Sequence, residues 1–207
     1  MVGQIITYGL ISQILAFCIS FFFMFKYKSV FLRTLTLLLF TTVVIESIGT
    51  YFRYVEDTSF NNHYYHFYNL IFLSIVTFLF FKIIKGGLWR KIMIILFSIF
   101  LIIWSLFFIN NKFFYSEVIF ESITISSYSI LYLRELLISD KIINYKKLLP
   151  FWVSISFLIF YLPAVPFLAA LKYMNDRGSF PVLHVLIILM NLFIIFGLLY
   201  SDKEENV

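Results

Sequence analysis

Long apolar runs alternate with short polar breaks along the whole chain, and seven such runs can be traced. The first covers about 4–25 and is followed by Lys26 and Lys28; the second covers about 34–51, bracketed by Arg33 and Arg53. A polar stretch from Arg53 to His63 precedes the third, about 64–84, which closes with Lys82, Lys85 and the Gly86-Gly87 pair. The fourth, about 89–109, ends at Asn110-Asn111-Lys112, and the fifth, about 115–138, is the most polar. The sixth, about 150–171, begins with Pro150, where a helix tolerates proline; the seventh, about 180–200, is followed by the charged tail Asp202–Glu205. A hydrocarbon core of about 30 Å needs about 20 apolar residues per helix, and these runs match it. They exceed the roughly 9–11 residues of a membrane strand and lack its strict alternation. The pattern predicts an all-α polytopic membrane protein, a seven-transmembrane-helix bundle forming a single transmembrane domain over 1–207, without internal repeat or low-complexity linker.

The polar breaks also predict orientation. One set of loops and ends holds Lys26, Lys28 and Arg33, then Lys82, Lys85, Arg90 and Lys91, then Arg134, Lys141, Lys146 and Lys147, and Lys203: twelve in all. The other set holds four, Arg53, Lys112, Lys172 and Arg177. Lys and Arg concentrate on the cytoplasmic side, so the N-terminus is expected outside and the C-terminus in the cytoplasm, in a multi-pass protein of the inner membrane. A six- or eight-helix count would break the alternation. The first run has neither a basic leading segment nor a small-residue cleavage site, so it is expected to stay in the mature protein.

Composition sharpens this picture. The chain is 62% hydrophobic, 13% charged and has a mean hydropathy of +0.96, against about 45–50% apolar and about 25% charged residues for a soluble domain. The lipid bilayer is thus its first partner, and no soluble domain fits between the runs. The net charge of +5 is spread in ones and twos at run ends rather than along a stripe, so no nucleic acid is expected. Cys18 is the only cysteine, which rules out an internal disulfide and a cysteine metal site.

The informative residues are the polar ones inside the spans, since an ionisable group there costs about 2.5–3.5 kcal/mol on insertion scales and is expected to face the bundle interior. They are Gln13, Glu46, His66, Asn69, Glu117, Glu121, His184 and Asn191. With the orientation above, Glu46 lies about 10 Å from the outer end of its helix, at 1.5 Å per residue. His66 and Asn69 fall in the outer turns of the third helix, Glu117 and Glu121 in the outer third of the fifth, and His184 just below the outer surface. Pro163 and Pro166 are expected to distort the sixth helix at a similar level and free backbone carbonyls. In the fifth helix Glu117, Glu121, Thr124 and Tyr128 share one face, while its serines also suit close helix packing. An outward-facing pocket is expected, with Glu46 and Glu121 as its central acids and His66, Asn69, Tyr128 and His184 around them as ligand-binding residues. Arg134-Glu135 reads as a local charge pair or interface anchor, His63 as loop, and Lys82 as a snorkelling side chain.

Several chemistries fail against these residues. A retinal protein needs a lysine in its last helix, which the seventh run lacks. A zinc site built from Glu46, His66, Glu121 and His184 is chemically conceivable but has no diagnostic spacing, and a ceramidase-type hydrolase needs more histidines than His63, His66 and His184. No buried serine follows a glycine as an intramembrane serine protease would want. There is no repeat of the kind transporters show, and no re-entrant filter loop. No catalytic residue, metal or cofactor is therefore assigned, and an enzyme is not the favoured reading.

In Glu46 with Gly49 and Tyr51, in Tyr68-Asn69 opening the third run and in Phe151-Trp152 opening the sixth, the chain resembles the seven-helix membrane modules of bacterial receptors. That resemblance covers most of the length and is architectural. It implies a membrane sensor or accessory protein that signals to, or modulates, a separate cytoplasmic or membrane partner, because only seven residues follow Tyr200. A small proton-coupled transporter using the same acids, a lipid-modifying membrane enzyme, and a membrane accessory of a bacterial defence system such as a CRISPR-associated one stay open as alternatives.

Overall fold

The computed structural model describes residues 2–27, 29–54, 58–106, 114–170 and 180–201. Lys28, Lys112, Lys172, Arg177 and the charged tail from Asp202 lie outside them. Among the described residues there are seven α-helices and no strand: α1 (Val2–Lys26), α2 (Val30–Tyr54), α3 (Thr58–Ile83), α4 (Gly87–Leu106), α5 (Phe114–Ile138), α6 (Leu149–Ala170) and α7 (Phe180–Tyr200), with a 3-10 segment at Asp140–Lys147 between α5 and α6. Six of them, all but α5, are long and apolar enough to cross a membrane.

The helices outrun the apolar runs where polar residues still favour helical backbone. α2 begins at Val30 rather than near Thr34, and α3 begins at Thr58, so His63 is helical and not in a loop. Apolarity marks the limits of the hydrocarbon, whereas hydrogen bonding marks the limits of the helix, and the two need not coincide. α6 is likewise unbroken: Pro163 and Pro166 both lie inside it. Each proline removes the N–H that would bond the carbonyl four residues earlier, here Ile159 and Leu162, yet the helix continues for another turn.

The packing is a closed ring with one helix outside it. α1 packs on α2, α2 on α3, α3 on α5, α5 on α6, α6 on α7 and α7 on α1, while α4 packs chiefly on α3 and α5. Side-chain contacts give the directions. Ser20 meets Thr36 and Phe17 meets Phe40, so α1 and α2 are antiparallel. His66 meets Glu117 and Thr77 meets Tyr128, both at a separation of 51 residues, so α3 and α5 run parallel and in register. Ser12 meets Asn191 and Gly9 approaches His184, making α1 and α7 the second parallel pair. One end of the ring therefore collects the N-termini of α1, α3, α5 and α7. The other end carries Lys26, Lys82, Lys85, Arg90, Arg134, Lys146 and Lys147.

This arrangement explains why α5 alone falls short of a membrane span. Glu117, Glu121 and Tyr128 are buried among its neighbours, and α4 packs against part of its outer side, leaving Ile123, Ile130 and Leu137 exposed. Ser122, Thr124, Ser127 and Ser129 each donate to a carbonyl one turn back in their own helix, which satisfies a hydroxyl away from water. α4, with only Met93 and Phe100 fully buried, presents residues such as Leu88, Ile95 and Ile102 to the outside. The perimeter elsewhere is equally apolar, with Phe22, Phe25, Ile130 and Leu199 exposed. Contiguous apolar surface on this scale suits hydrocarbon rather than water.

At the basic end Glu135 fastens the α3–α4 turn. Its carboxylate accepts the Lys85 N–H at 2.7 Å and the Gly86 N–H at 3.4 Å. Arg134 does not pair with it; the guanidinium lies over the Trp89 ring, 4.3 Å from its centroid. Of the two readings of Arg134-Glu135, the anchor fits and the mutual charge pair does not. Arg90 completes the turn by donating from Nε to the Ile84 carbonyl at 2.7 Å.

Candidate functional site

Inside the ring, toward the end that gathers the four N-termini, lie two adjoining cavities. The inner chamber, about 290 Å³, is walled by all six ring helices and by no residue of α4. Above it a vestibule of about 150 Å³ is lined by Gly9, Leu10, Thr50 and His184, together with Gln13, Glu46, Tyr65 and Ile187. Those last four residues line both spaces and form a neck between them. At the neck the Tyr65 hydroxyl donates to Glu46 Oε2 at 3.2 Å. Tyr65 reaches that position by crossing Gly49, where a Cβ would fall 2.9 Å from the phenol Cζ, closer than side chains tolerate.

The chamber wall combines acids, amides and aromatic rings. Glu121 lines it from α5 and is 5% exposed; it makes no hydrogen bond among the described residues. Asn191 lines it from α7 and is fully buried. Its amide N–H group donates to the Ile187 carbonyl at 2.8 Å and to Ser12 Oγ at 3.3 Å. Ser12 in turn donates to the Gly9 carbonyl at 2.7 Å. This relay fixes the amide orientation and leaves Asn191 Oδ1 without a partner among the described residues. The rings of Tyr65, Tyr68, Phe72, Tyr161, Phe157 and Phe160 make a continuous aromatic surface, with successive centroids 4.8–6.4 Å apart.

Just outside this wall sits a buried ionisable pair. His66 Nδ1 and Glu117 Oε2 are hydrogen-bonded at 2.6 Å, and neither side chain has exposed surface. The other carboxylate oxygen, Oε1, accepts from Asn69 Nδ2 at 3.0 Å. Glu117 stands in the first turn of α5, where the positive end of the helix dipole favours a carboxylate. The His66 ring is stacked on Trp104 of α4, and the Trp104 indole N–H donates to the His66 carbonyl at 3.1 Å. This constellation ties α3, α4 and α5 together.

The expected site residues divide accordingly. Glu121 and Asn69 line the chamber, Glu46 lies at the neck, and His184 lines the vestibule. His66 is turned to Glu117 and lines neither cavity. Tyr128 also lies elsewhere: fully buried, it donates to the Met93 carbonyl of α4 at 3.0 Å and meets Thr77 at 3.4 Å. It shares a face of α5 with Glu121 but sits two turns further along, beyond the chamber floor. No cluster of three or more metal-ligating side chains occurs among the described residues, so Glu46, His66, Glu121 and His184 are not drawn together as a zinc site would require. Tyr65 and Tyr161 do not stand out in the sequence, and Tyr68 does so only beside Asn69 in the receptor-like resemblance; their signal is hidden among 14 tyrosines. Comparisons with protein-family models, with curated proteins and with solved structures found no match.

Proposed function

We propose that this chain is a membrane sensor or accessory protein that takes a small ligand into the ring and passes its occupancy to a separate partner. The observation that carries this reading is the vestibule and chamber, joined at the Gln13–Glu46–Tyr65 neck and enclosed by six helices. A chamber of about 290 Å³ is close to the lower end of small-molecule sites, about 300 Å³. Carboxyls are an expensive way to pack helices, and Glu121 has no described partner that would account for it as packing.

The basic end is assigned to the cytoplasm by its lysines and arginines, in the inner membrane, which turns the vestibule outward. Partner contact would then fall on the opposite end, around the Glu135-fastened turn. A reporter fused after Val207 tests the orientation: it should be active as a fluorescent protein and inactive as a phosphatase that needs the periplasm. Replacing Glu46 or Glu121 by Gln tests the pocket. The reading requires a loss of ligand-dependent output with thermal stability kept; variants that lose only stability would make the cavity a packing feature.

A small proton-coupled carrier is the second reading, favoured by Pro163 and Pro166 within a chamber-lining helix. Proteoliposomes with an imposed pH gradient separate the two, since a sensor produces no flux.

A further inference from the structure

The chemistry of the chamber wall is one-sided. The Thr42 hydroxyl donates to the Leu38 carbonyl at 2.9 Å, and Ser122 donates to Val118 at the same distance. With the Thr42 proton committed, the Tyr68 hydroxyl is the donor in its 3.1 Å bond to Thr42. Asn69 gives an amide hydrogen to Glu117, and Asn191 gives both of its own to Ser12 and Ile187. The donors of the wall are thus largely spent on protein acceptors. What remains is acceptor: the Glu121 carboxyl, the Asn191 Oδ1 and the lone pairs of Ser122. Gln13 at the neck and Tyr161 retain donors, and they share the wall with Glu46 and Glu121.

Charge points the same way. Two carboxyl side chains line the cavities, and no Lys or Arg does so among the described residues. An ionised Glu121, which makes no hydrogen bond among the described residues, is costly without a counter-charge, and a cation from outside the protein would offset that cost. The six rings around it present π faces and edges, and a cation over such a face gains about 0.5–2 kcal/mol, the more so when desolvated. Among the described residues no three ligating side chains cluster as a bare metal ion would need, and the rest of the wall is largely aromatic and aliphatic.

We propose that the inner chamber takes a small organic cation, a protonated or quaternary amine, with Glu121 as its counter-ion and the tyrosine and phenylalanine rings around its charge. The proposal rests on the reading of the cavity as a ligand site and names what that site prefers. Asn191 Oδ1 would accept an N–H or O–H from the same ligand. The chamber volume of about 290 Å³, near the lower end of small-molecule sites at about 300 Å³, suits a ligand the size of choline or benzylamine.

Full-length protein in lipid nanodiscs would be titrated with choline, tetramethylammonium and protonated benzylamine, and with 3,3-dimethyl-1-butanol as the neutral isostere of choline. Binding would be read by calorimetry and by the rise in Tm. At least one cation should bind about tenfold or more tighter than the neutral isostere. E121Q should remove that preference by weakening the cation alone. Phe160→Leu, which leaves every acid in place, should weaken quaternary ammonium by about three- to tenfold in a protein that still unfolds cooperatively in the absence of ligand. It keeps the test decisive if E121Q fails to fold. Equal binding of the neutral isostere and the cation to the wild type would overturn the cation assignment while leaving a ligand pocket in place. Absence of binding by every cation overturns the proposal. The cavity reading itself fails separately if the isostere is also silent and E46Q and E121Q change stability but not output.

Discussion

The imidazole of His66 lies flat on the indole of Trp104, with ring centroids 4.7 Å apart and planes inclined by 6°. The same indole returns a hydrogen bond to the His66 carbonyl at 3.1 Å. α4 packs on the ring chiefly along α3 and α5, and this pair is a polar attachment of α4 at the chamber end. Trp104→Phe keeps a ring to stack and loses the N–H, and should cost about 0.5–1.5 kcal/mol. Trp104→Ala also vacates the stacking surface and should cost about 3–5 kcal/mol. Thermal unfolding in one fixed nanodisc composition measures both, and equal losses for the two variants would remove the stacking contribution.

Glu117→Ala should be harsher than its position at the edge of the cavity suggests. It strips His66 and Asn69 of their shared acceptor in a site without exposed surface, and breaking a buried pair from one side costs about 3–5 kcal/mol. In a double-mutant cycle with His66→Ala the losses should be strongly non-additive, since each variant removes the same contact. Neither residue lines the chamber, so the surviving folded fraction should bind a cationic probe close to wild type. Loss of that affinity in a folded E117A protein would move the pair into the ligand site.

Glu135→Ala should act on two amides at the opposite end. The carboxylate bond to Lys85 N–H is short, at 2.7 Å, and bonds to a charged acceptor contribute about 1.5–3 kcal/mol. Hydrogen exchange followed by mass spectrometry should show faster exchange confined to Lys85 and Gly86 and their neighbours, with the chamber helices unaffected. Unchanged exchange there would mean the turn holds without its clamp.

At Gly49 the expected effect is geometric. A methyl group would displace the Tyr65 phenol and with it the bond to Glu46; overpacking of this kind costs about 1–3 kcal/mol. Gly49→Ala should therefore lower Tm modestly and speed both arrival and departure of a bound probe by opening the neck. A second change, Tyr65→Leu, should restore stability but not the slow exchange. Should the double variant exchange as slowly as the wild type, the neck is not formed by this contact.

The helices and the acids were legible because both follow from the cost of polarity in hydrocarbon: Glu46, Glu121 and Asn69 stood out as soon as the spans were drawn. Their partners were not. Glu117 and Glu121 are one turn apart on α5, yet one is committed to His66 and the other faces the chamber. Only the position of α3 beside α5 decides which does which, and hydropathy carries nothing about which helices are neighbours. Tyr128 shows the same limit. Its helical face was right, but α4 lies behind that part of α5 and takes its hydroxyl through the Met93 carbonyl. The aromatic wall was invisible for a different reason: in a chain with 28 Phe and 14 Tyr, six rings around a cavity look like the lipid-facing remainder.

The matched register of α3 and α5 has a mechanical consequence. His66–Glu117 near one end and Thr77–Tyr128 near the middle hold the two helices at a single offset, and α4 braces both from behind. Sliding either helix by one turn would break both ties together, so this side of the ring behaves as a stiff plate. The facing side has α6, without two amide hydrogens at Pro163 and Pro166, packed extensively on α5 and α7, and a parallel α1–α7 pair in which Asn191 donates to Ser12. The offset of α3 against α5 is thus set by paired polar ties, whereas across the chamber the helices are held chiefly by extensive side-chain packing, and the cavity lies between these two kinds of seam.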